Sequence, residues 1–410
     1  MSTFENWTSW IALGPPDTLV LLAAVLVVGA LAGEAIARLT RWPRVVGYTL
    51  AGWAAALGGF GVTMPLANSA RVLIDMALAL LLFEIGSRVR LRWLRNNPGL
   101  LATSALESLV AAVAVYATLT ALGQAPMVAA ACAVLAIPAS AAVAGRVAHE
   151  IGAEGQVTQR MTYLTALNTL YGVLALVVLK GWIQAEHLPG ILAAVQALTV
   201  SSLGALLLAA LLGGAVSMVT RRLDVRNESA MLLVMGLVLL AVSTARWVGV
   251  STLLVPLLAG LLLRNVSDRA WVWPRHFGTA GGVLVLMLFV MVGSAWSWQI
   301  LVTGFAAAMA LIAARALSKI VVVLLLSRWS HLSWKQGVAL SLTLTPLSAT
   351  ALVMLSELYR ASPEFGASIA PIVLTAVAVV ELVGPIVVQL ALRTAGDVAT
   401  AAPAPPKEAS

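Results

Sequence analysis

Residues 342–355 read LTLTPLSATALVML, and residues 135–145 read LAIPASAAVAG. Both stretches are apolar enough to lie in a bilayer, yet each carries a proline in mid-run, Pro346 and Pro138, followed by the same Pro-x-Ser-Ala pattern. Proline removes a backbone donor and clashes with the carbonyl one turn back, which costs roughly 3 kcal/mol in a helix interior. Freed carbonyls in hydrocarbon need new partners, and Ser140, Thr343, Thr345, Ser348 and Thr350 can supply them or join the ligand shell of a solute. Half-helix ends also present opposite partial charges to whatever lies between them. One such proline is an ordinary kink; two with a shared pattern predict a pair of interrupted helices.

The composition requires a non-aqueous solvent. Hydrophobic residues make up 61% of the 410-residue chain and charged residues 10%, against about a quarter charged in a soluble domain. The net charge of +8 is spread over short loops without a dense basic tract, which argues against nucleic acid as a partner. The single cysteine, Cys132, excludes an intrachain disulfide and reads as a packing residue. His149, His187, His276 and His331 fall in loops, no metal-ligand spacing occurs, and no serine or cysteine has a base nearby. No enzyme, metal or cofactor is expected. The opening MSTFENWTSWIALGPPD lacks the basic region of a secretory signal and is expected to be retained.

Apolar runs bounded by charge, proline or glycine give about thirteen spans. Those of the first half are 17–36, 44–63, 69–88, 99–122, 126–147 and 162–184; a long run at 190–219 follows, then 228–247, 249–264, 277–297, 300–327, 335–357 and 367–392. With the N-terminus outside, the cytoplasmic loops collect basic clusters such as Arg38/Arg41/Arg44, Arg88/Arg90/Arg92/Arg95 and Arg221/Arg222/Arg226, while the external loops hold only Arg71, Lys180, Arg246 and Arg360. That asymmetry is the positive-inside pattern, and most tryptophans fall near span ends. The expected organisation is an external segment 1–16, a transporter domain 17–393 and a disordered cytoplasmic tail 394–410. Within the domain, repeat one (17–184) and repeat two (228–392) flank a linker helix at 190–219. Pro138 and Pro346 then occupy the fifth span of each set, and the sets insert in opposite senses, the layout in which matched broken helices mark a site near the midplane. The fold class is an all-α polytopic membrane protein with inverted-topology repeats and two crossed, proline-broken helices.

GEAIARLTRWPRVVGYTLAG (33–52), LALLLFEIGSRVRL (78–91), VLMLFVMVGSAW (285–296) and ALSKIVVVLLLSRWSHLSWKQGVALSL (316–342) resemble, in that order, motifs of the monovalent cation:proton antiporter superfamily, in particular its antiporter-2 branch. The resemblance implies a six-helix mobile core with two unwound helices, set against a scaffold bundle that often dimerises. It also implies one or two aspartates on the sixth helix that bind cation and proton in turn. Here TALNTLYGVLALVVL (165–179) has Tyr171 and Gly172 at those positions, or Asn168 and Thr169 in a shifted register, and no carboxylate. Ala136 stands where relatives often have a threonine, and PLSATALV lacks the Arg-Gly-Glu stretch common past the second break. Lys319 matches the basic partner of the missing aspartate, and Arg315 the arginine of electroneutral relatives.

A charge near the bilayer centre costs at least about 2.5–3.5 kcal/mol, so Lys319 and Arg315 must face the interior and have partners. Glu107, in TSALESLVAAV, is the best surviving acid; it can pair with Lys319 or Arg315 and carry the proton, as can Lys319 itself. Glu34 and Glu84 are expected to pair with Arg38 and Arg88 one turn away, while Asp75 and Glu381 stay open. The ion pathway is expected to run past Asn168, Thr169, Tyr171, Pro138, Ser140, Thr345, Pro346, Ser348 and Thr350. Three readings follow: a secondary active Na+ or K+:proton antiporter working by alternating access; a transporter of an anionic or neutral organic solute on the same scaffold; and a non-transporting sensor homologue. The expected partners are a monovalent cation, a proton, the lipid bilayer and a second copy of the chain, in a bacterial cytoplasmic membrane.

Overall fold

The computed structural model describes residues 18–58, 68–183, 190–222, 228–266, 277–294, 297–347 and 349–398. Ser348 therefore lies outside the described residues. The first spans form α1 (Thr18–Thr40), α2 (Arg44–Leu57), α3 (Asn68–Arg88), the short α4 (Leu91–Arg95) and α5 (Pro98–Ala121). The run around Pro138 is split into α6 (Pro126–Leu135) and α7 (Ala141–Glu150), and α8 (Gln156–Ile183) closes the first half. The long α9 (Gly190–Arg222) leads to α10 (Glu228–Val248), α11 (Leu254–Val266), α12 (Phe277–Gly293) and α13 (Trp298–Ser327). The run around Pro346 is likewise split into α14 (Trp334–Thr343) and α15 (Ala349–Ala361), ahead of α16 (Pro363–Ala395). Every predicted span thus overlaps a helix, although residues 59–63 and 295–296 of two of them lie outside the described residues and the helix of the 249–264 span begins at Leu254. Among the described residues six helices are long and apolar enough to cross a membrane: α1, α5, α8, α9, α13 and α16.

Sequence chemistry sets the ends of these elements. Pro98, Pro126 and Pro363 occupy first-turn positions, where the missing N–H costs no helical bond. Ser333 and Gln336 form a reciprocal capping box at the start of α14. Gly396, with φ 81°, ends α16 in the left-handed conformation that glycine adopts without strain. The expected tail starting at 394 is therefore ordered over its first residues: Asp397 is buried and accepts from Thr158 N at 2.7 Å and Thr158 Oγ1 at 2.8 Å, at the N-terminal turn of α8.

The halves pack as an inverted repeat. The halves meet through the α5–α13 and α6–α15 contacts, and the α2–α12 contact is mirrored by α3–α11. Those mirrored contacts are backbone to backbone. A Cβ on Gly52 would fall 2.1 Å from Val290 O, and one on Gly260 2.1 Å from Phe83 O. Small residues of this kind let membrane helices approach closely. The same symmetry governs the breaks: Pro138 rests on Gly172 of α8 and Pro346 on Gly384 of α16. Glu107 on α5 and Lys319 on α13 stand on the matching fourth spans of the two halves.

Candidate functional site

The two breaks touch each other. Ser140 N donates to Pro346 O at 2.9 Å, and Ser140 Oγ caps α7 by accepting from Val143 N at 3.1 Å. Arg315, 2% exposed, reaches into the crossing from α13. Its Nε donates to Ala136 O at 2.7 Å, and its Nη2 to Pro138 O at 2.9 Å and Leu344 O at 3.2 Å. Nη1 donates to Thr345 O. One planar fork therefore satisfies carbonyls freed on both broken helices, a task suited to the fixed donor geometry of guanidinium.

Hydroxyls near the break share this task. Thr345 Oγ1 donates at 2.7 Å to Leu342 O, the carbonyl that the missing N–H of Pro346 leaves free, and Thr343 Oγ1 donates at 2.7 Å to Leu340 O in the last turn of α14, while Thr169 Oγ1 bonds Thr165 O at 2.8 Å within α8. Such local bonds are the default for a helical threonine. Thr350 is buried beside the second break, and Tyr171 is half-buried with its hydroxyl toward Ser104.

One helical turn from Arg315, Lys319 is fully buried, as is Glu107 on the facing α5. Lys319 Nζ donates to Glu107 Oε2 and also lies 3.5 Å from Ile137 O. Of the two partners open to Glu107, Lys319 is the one it takes. Asn168 Nδ2 donates to the other oxygen, Glu107 Oε1. The Asn168 amide is oriented in turn by Ser108 Oγ at 3.0 Å and Ser104 Oγ at 3.3 Å, both donating to Oδ1. Ser104, Glu107 and Ser108 share a helix face by their i, i+3, i+4 spacing. Sequence reading passed over the two serines, although hydroxyls at that spacing around a buried acid were the available signal.

The site holds two cations and one acid close together. The Arg315 charge is spread over carbonyl dipoles, while that of Lys319 is met by a carboxylate. No cluster of three metal-ligating side chains occurs among the described residues.

Further ion pairs among the described residues lie toward the two ends of the helices. Arg38 and Arg44 hold Glu34 at 2.7 and 3.0 Å, and Arg88 pairs with Glu84. At the opposite end Lys180 bonds Glu357 at 3.0 Å and Arg246 pairs with Asp75. Cys132 is buried in the core.

Inverted repeats, crossed broken helices and a buried charge pair at the crossing define a polytopic membrane transporter. Residues 22–394 match the transmembrane domain of the sodium/hydrogen exchanger family, and the chain belongs to that family, whose members are transporters and not enzymes. No curated protein sequence matches the chain. Among solved structures, the sodium proton antiporter MjNhaP1 from Methanocaldococcus jannaschii at pH 8 superposes with a TM-score of 0.61 at 17% identity, covering 92% of this chain and 95% of its own. An electron-microscopy structure of the same antiporter gives 0.63 at 17% identity, covering 96% and 95%. At that identity the likeness concerns the fold.

Proposed function

We propose that the chain is a secondary active antiporter exchanging Na+ or K+ for protons, with Glu107 as the group that cation and proton contest and Lys319 as its displaceable counter-charge. The observation that carries this reading is the fully buried Glu107–Lys319 pair beside the two breaks. A carboxylate held by an ammonium group in a dry site cannot lose that partner without another positive charge taking its place. A proton on Glu107 releases Lys319; so does an alkali cation, for which Asn168 Oδ1 and the Ser104 and Ser108 hydroxyls are neighbouring oxygen ligands. Membership of the sodium/hydrogen exchanger family favours the same cargo.

In this reading the acid of the sixth helix has moved to the fourth span, consistent with an antiporter-2 relative that lacks the usual aspartates. The transport domain is 17–393, with repeats 17–184 and 228–392 joined by the 190–219 helix. Exchange proceeds by alternating access of the core against the scaffold. The N-terminus faces outside and the C-terminus the cytoplasm of a bacterial inner membrane, and two copies form a homodimer.

Proteoliposomes with a pH gradient and an internal pH dye test the proposal. Sodium or potassium should dissipate the gradient, and Glu107→Gln should abolish the response. The excess of buried positive charge at Arg315 and Lys319 favours a second reading, an anionic solute. Gradient-driven uptake of organic anions that needs both residues, ignores alkali cations and survives E107Q would select it. A protein that moves and binds neither class would be the sensor.

A further inference from the structure

Five acids are buried among the described residues: Asp75, Glu107, Glu357, Glu381 and Asp397. Asp75 pairs with Arg246, Glu107 with Lys319, Glu357 with Lys180, and Asp397 accepts from Thr158. Glu381 differs. It is 0% exposed, and neither of its carboxyl oxygens has a hydrogen-bond partner.

Its place in the fold is equally specific. Glu381 lies three residues before Gly384, the glycine on which Pro346 rests, so both project from one face of α16 toward the second break. Thr169 stands in the same relation to Gly172 and Pro138 in the other half. Glu381 is therefore the inverted-repeat counterpart of Thr169, next to Asn168, and it lies across the crossing from the Glu107 site. Of the acids, Glu107 and Glu381 are the two that flank the paired breaks.

The charged groups on the helices around α16 do not reach it. On α13, Arg315 is committed to carbonyls and Lys319 to Glu107. On α8, Arg160 donates to Ser330 O and Lys180 to Glu357, while on α2 Arg44 bonds Glu34 and Glu150. Arg146, His149, Glu150, Lys335, Glu357 and Arg360 sit on α7, α14 and α15, and none is paired with Glu381. α6 and α12 carry no charged residue.

An ionised carboxylate without a partner is not held in such a place; it is neutralised. We propose that Glu381 is a second proton-binding site of the core, loaded when its carboxylate takes up one proton to become the acid and unloaded when movement of the Gly384–Pro346 contact admits water. The ligand is a proton, because uptake of one converts a buried, unpartnered carboxylate into the neutral acid that such a place tolerates. Only the transport arm of the test below rests on the antiport proposed above.

Infrared difference spectra of the full chain in lipid nanodiscs, recorded against pH and deuterium exchange, read the site directly. The expected result is a carboxylic-acid C=O band in the wild type that fades as pH rises and shifts on deuteration. It should be lost in Glu381→Gln, kept in Glu107→Gln and moved in Glu381→Asp. The aspartate variant decides the assignment should the glutamine variant not fold. A band unchanged in both Glu381 variants overturns the proposal, as does one that responds to neither pH nor deuterium, which would mark a sealed structural acid. In proteoliposomes, E381Q should move one proton fewer per cation, seen as a shift in the voltage at which flux stops. An unchanged ratio overturns the transport role. A wild type that shows the titrating band but no cation flux leaves Glu381 as a proton site and removes the antiport reading alone.

Discussion

Asn168 donates to the one oxygen of Glu107 that Lys319 does not use. The carboxylate is thus held at both ends, by a charge from one half of the molecule and a neutral amide from the other, and it is fully buried. Such a network is fully satisfied only while all three members are present.

Glu107→Gln leaves the Lys319 ammonium buried without a counter-charge. Removing one member of a buried pair costs on the order of 3–5 kcal/mol, and a thermal-melt assay in detergent should show a lower midpoint together with loss of exchange. The double variant Glu107→Gln/Lys319→Met removes both charges. It should recover most of the stability and none of the exchange; equal melting of single and double variants would refute the pairing.

Asn168→Ala removes one donor from the carboxylate and leaves two serine hydroxyls without their acceptor. A penalty of about 1–3 kcal/mol is expected for a buried group left unsatisfied, smaller than that of the E107Q change. Exchange should weaken rather than vanish, because Lys319 still holds the acid. A comparison of cation half-saturation between N168A and wild type checks this.

Arg315→Lys keeps the charge and loses the fork. A lysine has three donors on a flexible stem and cannot span carbonyls on both broken helices as guanidinium does. The variant should be less stable by roughly 1–3 kcal/mol per unmet carbonyl and should lose transport. A variant as stable and active as wild type would show that the capping is dispensable.

Gly172→Ala places a methyl 2.5 Å from Pro138 Cγ, and Gly384→Ala places one 3.0 Å from the Pro346 ring. Gly145→Ala, with open space around it, is the internal control. Exchange rates should fall in the order control, Gly384 variant, Gly172 variant, since overpacking costs about 1–3 kcal/mol where neighbours cannot yield.

The spans and both breaks were legible in the chain because apolar run length and mid-run proline are local signals. Partner choice was not. The sequence left Glu107 between Lys319 and Arg315, and the decision rests on where α5 meets α13, two helices brought together only by the closed fold. Hydroxyls near a proline were legible as partners of its freed carbonyls, and Thr345 and Thr343 do bond Leu342 O and Leu340 O. The role of Arg315 was not legible, because it is distant in sequence from both breaks that it reaches. Glu381 stayed open for a related reason: whether a membrane acid is paired depends on what surrounds it.

Glu107 and Lys319 face each other from α5 and α13, the matching fourth spans of the two halves. Were the halves identical copies assembled about a dyad, both facing helices would carry the same residues, and every acid on one would be mirrored by an acid on the other. Opposite signs can meet at the centre of this molecule because its two halves differ in sequence.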